Sequence, residues 1–410
     1  MPSVCMYFQM HQPLRLGRYS VFDTRSDYFD DHHNVEILQK VVDKCYAPAT
    51  RLLLDLIDRH DGRFRLSLSV SGVLIDQLRT QAAHVIDALE ALARTGCVEF
   101  LNETYYHSMS FLYSRDEFRA QVEQHAAMIE DLFGQSPVVF RNTELIYNND
   151  LAHYIGSLGR HRGILAEGAD HVLHGRSVNE VYRPPHTEGI SLLLKNYGLS
   201  DDIAFRFSNH EWPEFPLTAE KYAGWINRLN GQGRVCNLFM DFETFGEHQW
   251  AETGIFDFLD ELPGQLLASP DNDFLTVSEA IDRYEPVDTF DTPHMISWAD
   301  TERDLSAWLG NAMQSNALHE LYKLEQQVKE SGDAALLADW RRLTTSDHVY
   351  YMCTKYYANG AVHNYFNPYE SPYDSYINFM NVMDNLRTRV ALHSPDDANP
   401  LPRRLAAPSA

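Results

Sequence analysis

Residues 235–248 read Val235-Cys236-Asn237-Leu238-Phe239-Met240-Asp241-Phe242-Glu243-Thr244-Phe245-Gly246-Glu247-His248, an apolar run that passes without a break into carboxylates. A short run of this kind, apolar on both alternating faces, predicts a buried strand over Val235–Phe242, as in a parallel sheet covered on both sides. Asp241 and Glu243 are two residues apart, so a continuing strand turns both to one face, the interior of a barrel. Two ionised carboxylates there are costly unless each is hydrogen-bonded or has a function.

Outward from this stretch the chain alternates. Strands are predicted at Val4–Met10, Phe64–Val70, Val98–Leu101, Pro137–Phe140, Gly163–Ala166 and Phe274–Val277. Helical spacing lies between them. It covers Asn34–His60, with a break expected at Pro48, and Gln77–Thr95, stopping at Gly96. A third helix starts from a capping box of Ser114 and Glu117 and runs to Phe133 and Gly134. Strand–helix alternation calls for parallel strands with crossover helices, in an open sheet or a closed barrel. After Trp298 only helical patterns remain, over 304–330 and 333–357. The expected organisation is a barrel over 1–297, a helical region over 298–392 and a disordered tail, rich in Pro, Ala, Asp and Ser, over 393–410. No internal repeat is present.

The composition narrows the partners. The 410 residues carry 58 acidic against 34 basic side chains, a net charge of −24. That balance argues against a phosphate backbone, which needs Lys and Arg, and against an anionic membrane surface. A neutral partner fits better. The five cysteines are odd in number and contain no C-x-x-C pair, so buried reduced thiols and a cytoplasmic setting are expected. No early stretch reads as a signal peptide, and no run approaches the roughly 18 apolar residues of a membrane helix.

In a parallel α/β architecture the reactive groups collect at the carboxyl ends of strands. Those ends carry His11-Gln12-Pro13, then Glu99 to Glu103 with His107 beyond, then Arg141-Asn142-Thr143-Glu144, then Glu167, and finally Asp241 to His248. Carboxylates without a phosphate-binding glycine loop or cysteine ligands point to glycoside hydrolysis, which needs one carboxylate as nucleophile or base and one carboxyl as acid. Two rivals differ in sequence marks. A zinc-dependent barrel hydrolase would show H-x-D or H-E-x-x-H clusters at the strand ends, and none is there. A non-catalytic glucan-binding barrel would have lost one of the two carboxylates, and both are present. No metal and no cofactor are expected.

The same residues carry a family resemblance. The chain resembles glycoside hydrolase family 57, the α-amylase and glucanotransferase family, through five regions in order. They are His11-Gln12-Pro13, Gly96 to Phe100, Arg141 to Glu144, Asp241 to Gly246, and a fifth placed at Trp298–Asn311 with Asp304 and Trp308 inside it. The resemblance implies a distorted (β/α)7 barrel with a C-terminal helical region. It implies a retaining mechanism on α-1,4-glucans or maltooligosaccharides, with Glu144 as nucleophile and Asp241 as general acid and base. Hydrolysis, 4-α-glucanotransfer and branching-type transfer stay open. Expected substrate contacts are His11, Glu99, Glu243, His107, His248, Trp298, Asp304 and Trp308, with His11, Glu99 and Glu243 on the strand-end face of the pair. The charge of Glu243 is expected to help keep Asp241 protonated. There are departures. Arg141 stands where several members have Trp, and His248 where some have Trp. Asp304 and Trp308 are four apart, where the glucanotransferases show D-x-x-W.

Overall fold

The computed structural model describes residues 2–355 and 367–392. The expected tail and the last two residues of the 333–357 pattern lie outside the described residues.

Strand β1 (Ser3–Met10) pairs in parallel with β2 (Leu66–Val70), which pairs with β3 (Val98–Phe100). A second sheet holds β4 (Val139–Arg141) and β5 (Gly163–Glu167), then β6 (Val181–Arg183) and β7 (Ser191–Lys195). Strand β8 (Val235–Asp241) returns to pair with β1, and β9 (Asp288–Thr289) extends the second sheet beside β6. Asparagines join the sheets at two seams. At one seam Asn102 N–H donates to Val139 O at 2.9 Å, and Arg141 N–H donates to Asn102 O at 2.8 Å. At the other, Asn196 N–H donates to Asn237 O, and Asn237 Nδ2 donates to Leu194 O, both at 2.9 Å. The ring β1-β2-β3-β4-β5-β7-β8 is the (β/α)7 barrel. Strand β6, antiparallel to β7, and β9 lie outside it.

Alternation along the strands sorts the core. Val4, Met6, Phe8 and Met10 of β1, with Cys236, Leu238 and Met240 of β8, pack outward on the helix layer. Cys5, Tyr7, Val139, Leu165, Leu193 and Phe239 fill the interior. By the same parity Arg141, Glu167, Lys195 and Asp241 point inward at the carboxyl ends of their strands. The interior is apolar below and ionisable above.

Three local expectations change form. The Asn34–His60 region runs as helix Asp31–Val41, a π-turn Val42–Tyr46 and helix Ala47–Arg59. Pro48 sits in the first turn of the last segment, where its missing N–H costs nothing, so the break falls upstream as the π-turn. Ser114 caps Arg115–Phe133 by accepting from Glu117 N–H at 3.1 Å. The Glu117 carboxylate makes no capping box; it binds Arg341 and Lys329 of the helical region instead. Phe274 makes a single bridge to Val4, and Thr276 then caps helix Val277–Arg283.

Past the barrel the helices Ala312–Lys323, Glu325–Glu330, Ala334–Leu343, Asp347–Tyr350 and Pro372–Leu392 surround Trp308, Trp340 and Leu318. The same core takes in Leu16, Tyr28, Met109 and Ile146 from the loops after β1, β3 and β4. Helical residues are thereby packed against the face where the strands end. Among the described residues no helix is long and apolar enough to cross a membrane.

Candidate active site

Glu144 follows β4 in the turn Thr143–Leu145 with φ 58° and ψ 25°, and Leu145 also has positive φ at 51°. Left-handed backbone at a residue with a Cβ costs on the order of 1 kcal/mol or more and persists only where neighbours hold it. Here Trp298 holds it. Its backbone N–H donates to Glu144 O at 3.3 Å, and its indole Nε1–H to Glu144 Oε2 at 2.7 Å. The other carboxylate oxygen accepts from His107 Nε2 at 3.2 Å. Both oxygens of the side chain are therefore fixed.

His107 bridges two carboxylates, since its Nδ1 lies 3.1 Å from Glu103 Oε2. Burial alone would push the imidazole down, but the hydrogen bonds and charges of Glu103 and Glu144 raise its pKa to about 9. Burial likewise favours neutral Glu103, yet His107, then His125 and Arg141, hold it at about 2. Glu144 follows the same logic: burial raises it, and His107 with Arg141 more than reverse that, leaving it below the ordinary carboxylate value.

Asp241 closes β8 and behaves oppositely. Burial, then the charge of Glu144, raise its pKa to about 6 against the pull of Arg141, Lys195 and His107. Glu243 corrects an expectation. The strand ends at Asp241, and Glu243 lies in the turn Phe242–Thr244. Its carboxyl accepts from Tyr46 O–H of the helix layer and from His11 N–H. Burial, then Asp241, push it to about 8, so near neutrality it is uncharged. The leading like charge on Asp241 comes from Glu144.

His11 sits between Ser71 Oγ, 2.7 Å from Nδ1, and Asp347 Oδ2, 3.0 Å from Nε2. Sequence reasoning missed Asp347. No motif marks it, since its link to His11 is made only by the fold. The residues chosen instead are structural. Asp304 caps a short turn by accepting from Ser306 N–H at 2.8 Å. Trp308 is buried in the helical core, 5.8 Å from the Tyr350 ring. Trp298, from the same stretch, is in the site.

One further expected contact falls elsewhere. Glu99 lies mid-strand, not at a strand end, and accepts from Ser67 Oγ at 3.1 Å and from Ser278 N–H at 3.0 Å. It caps the first turn of Val277–Arg283 and does not share the face of Glu144. His248 is lowered to about 4 by burial, and the charges acting on it are those of Glu247 and Lys40, which pair at 2.5 Å.

Below Trp298 lies an ionic cluster. Lys195 Nζ is 3.0 Å from Asp201 Oδ1, Arg303 donates to Asp201 at 3.3 Å and to Trp298 O at 2.6 Å, and burial lifts Glu167 to about 7. Among the described residues no group of three or more His, Cys, Asp or Glu is arranged to hold a metal ion.

The chain matches Glycosyl hydrolase family 57 over residues 5–293. It is 41% identical over 393 residues, 92% of this chain and 82% of the other, to a Methanocaldococcus jannaschii protein named "Putative alpha-amylase". Its fold is similar to that of the GH57-type branching enzyme of Pyrococcus horikoshii, with a TM-score of 0.66, 14% identity and coverage of 96% and 88% of the two chains. The α-amylase AmyC of Thermotoga maritima gives a TM-score of 0.64, 14% identity and coverage of 97% and 95%. The barrel ring, the strand-end carboxylates and the match across most of the chain agree: this protein belongs to glycosyl hydrolase family 57.

Proposed function

We propose that the chain is a retaining glycoside hydrolase acting on α-1,4-glucans, with Glu144 as nucleophile and Asp241 as general acid and base. The observation that carries this is the split between two strand-end carboxyls. Glu144 is held below the ordinary carboxylate range, while Asp241 is raised to about 6. One is ionised and the other protonated over the same mildly acidic range, which is what the two roles require.

In the first step a Glu144 oxygen forms a bond to the anomeric carbon. The bond from that carbon to the glycosidic oxygen breaks, and the Asp241 proton goes to the departing oxygen. Asp241 is then anionic and Glu144 is an uncharged ester, so the negative charge has moved between them. Asp241 next takes a proton from water, or from a sugar hydroxyl, which attacks the anomeric carbon and releases Glu144. Trp298 and His107 orient the nucleophile, and His11, its two ring nitrogens held by Ser71 and Asp347, shapes the cleft floor beside His107. On this reading the barrel, residues 1–297, supplies the carboxyls, and the helical region, 298–392, contributes Trp298 and Asp347. The five cysteines are free and buried, which suits a reducing compartment such as the cytoplasm.

The name of the Methanocaldococcus relative favours hydrolysis, and that of the Pyrococcus structure favours transfer from the same ester. Product analysis on maltoheptaose separates them: a net gain of reducing ends means hydrolysis, and redistribution of chain lengths means transfer. Glu144→Gln and Asp241→Asn are expected to fold and to lose nearly all turnover. Either variant keeping more than about a tenth of wild-type activity would remove that residue from its role.

A further inference from the structure

Arg141 ends β4 three residues before Glu144, and its side chain is fully buried. None of its three guanidinium nitrogens makes a hydrogen bond among the described residues. A buried, unbonded cation is expensive to fold around, so stability does not explain the residue. The face of Trp298 lies beside it, the ring centroid 4.8 Å from Cζ. That indole donates its N–H to Glu144 Oε2.

The other cations around the pair are committed. Lys195 is tied to Asp201, Arg303 to Asp201 and the Trp298 carbonyl, and His107 is shared between Glu103 and Glu144. The groups facing Glu144 are His107, Arg141 and, from the helical region, Asp347. The charges acting on Asp241 include those of Glu144, Arg141, Lys195 and His107, and Asp241 in turn acts on Glu243 and Tyr7. Arg141 also acts on Tyr7 of β1 and on Glu103. It acts on both members of the pair and is bonded to neither.

We propose that Arg141 is a positioning residue for both catalytic carboxyls: clamped on Trp298, it steadies the indole against Glu144 and supplies the unneutralised positive charge that the two carboxyls share. This rests on the assignment of the pair given above. In that cycle a single negative charge sits on Glu144 before the ester forms and on Asp241 afterwards. His107, bonded to Glu144, favours the first state. A cation held by an aromatic face within reach of both serves each state and needs no reorganisation between them.

The test uses the full chain carrying Arg141→Met or Arg141→Lys, beside Glu144→Gln and Asp241→Asn. The readouts are kcat and KM on maltoheptaose across pH, together with thermal melting. Arg141→Met is expected to melt at or above the wild-type temperature while kcat falls about ten- to a hundredfold, with KM changed little. Both limbs of its pH profile move to higher pH, because each carboxyl loses a cation that favoured its ionised form. Arg141→Lys restores the limbs but not the full rate, since an ammonium lacks the planar stack on Trp298. The proposal is overturned if Arg141→Met keeps rate and limbs. It is equally overturned if that variant fails to fold, melts lower, or loses activity only as folded protein is lost, which is how a purely structural cation behaves. Inactive Glu144→Gln and Asp241→Asn beside an unshifted Arg141→Met sink this proposal alone. An active Glu144→Gln or Asp241→Asn sinks the pair beneath it.

Discussion

The imidazole of His11 lies on that of His107, with ring centroids 4.0 Å apart and planes 20° from parallel. The two rings carry different charges. His107 sits between two carboxylates and is raised to about 9, whereas burial, then the charge of His107, lower His11. The stack is a neutral ring on a cationic one. Its hydrogen bonds set the His11 tautomer: Asp347 can only accept, so Nε2 carries the proton and Nδ1 accepts from Ser71. Ser71 is also the N-cap of helix Gly72–Gln81. His11 is thus pinned between a barrel helix and the helical region.

That pinning predicts an effect at long range in sequence. Asp347 is 336 residues from His11 and touches it only through folding. Replacing Asp347 by Ala frees the ring to rotate in the cleft floor, and kcat/KM on maltoheptaose is expected to fall on the order of 10- to 100-fold with the fold retained. Asp347→Asn keeps an oxygen able to accept from Nε2 and is expected to fall less. Wild-type kinetics in both variants would make Asp347 a packing residue only.

The pH dependence follows from the pair. Glu144 must be ionised to attack, and its depressed pKa keeps it so from below the ordinary carboxylate value upward. Asp241 must be protonated to act as acid, and its pKa of about 6 ends that condition as pH rises. The profile of kcat/KM is therefore a bell on the acidic side of neutrality, whose alkaline limb has an apparent pKa near 6. A plateau extending through pH 8 would show that Asp241 is not the acid, or not in this environment.

Strands β1 and β8 were legible because each is apolar on both faces and ends in chemistry-bearing residues. Strand β7 was not, since Leu192–Leu194 is a run of good helix formers too short for periodicity to decide, and β6 has only three residues. Glu144 and Asp241 stood out as carboxylates at strand ends. Asp347 did not, because nothing local marks one acid in a helical stretch as the partner of His11. Glu99 misled for a geometric reason: β3 is three residues long and pairs Glu99 with Ser67, two positions short of the level where Ser69 meets Gln9. Whether a carboxylate reaches the cleft depends on that level, which register sets and composition does not.

Glu99 then carries its own prediction. Burial raises its pKa despite hydrogen bonds from Ser278 and Ser67. A carboxyl raised in the fold is favoured protonated, so its contribution to stability is fullest below the unfolded value of about 4.3 and declines as pH rises through the folded value. Glu99→Gln keeps an oxygen for both donors and removes the ionisation. It is expected to leave kcat and KM unchanged and to flatten the fall of melting temperature with pH over that window. A loss of activity without a loss of stability would return Glu99 to the cleft.

Trp298 offers the sharpest separation of roles, because it holds Glu144 twice. The backbone N–H supports the left-handed Glu144 carbonyl, and the indole N–H supports Oε2. Trp298→Phe leaves the first and removes the second, while keeping an aromatic face for Arg141. The nucleophile then loses one of two donors, worth on the order of ten- to a hundredfold in kcat for a hydrogen bond that orients a reacting carboxylate. The sign on pH is one-sided. Losing a donor to the ionised form raises the Glu144 pKa, so the acidic limb moves up. Asp241 receives no bond from the indole among the described hydrogen bonds, so the alkaline limb stays. Removing Arg141 moves both limbs, and the two variants together therefore distinguish a bond to the nucleophile from a charge shared by the pair. If Trp298→Phe moved neither limb and kept its rate, the indole N–H would be a packing contact, and the geometry at Glu144 would be maintained by the backbone alone.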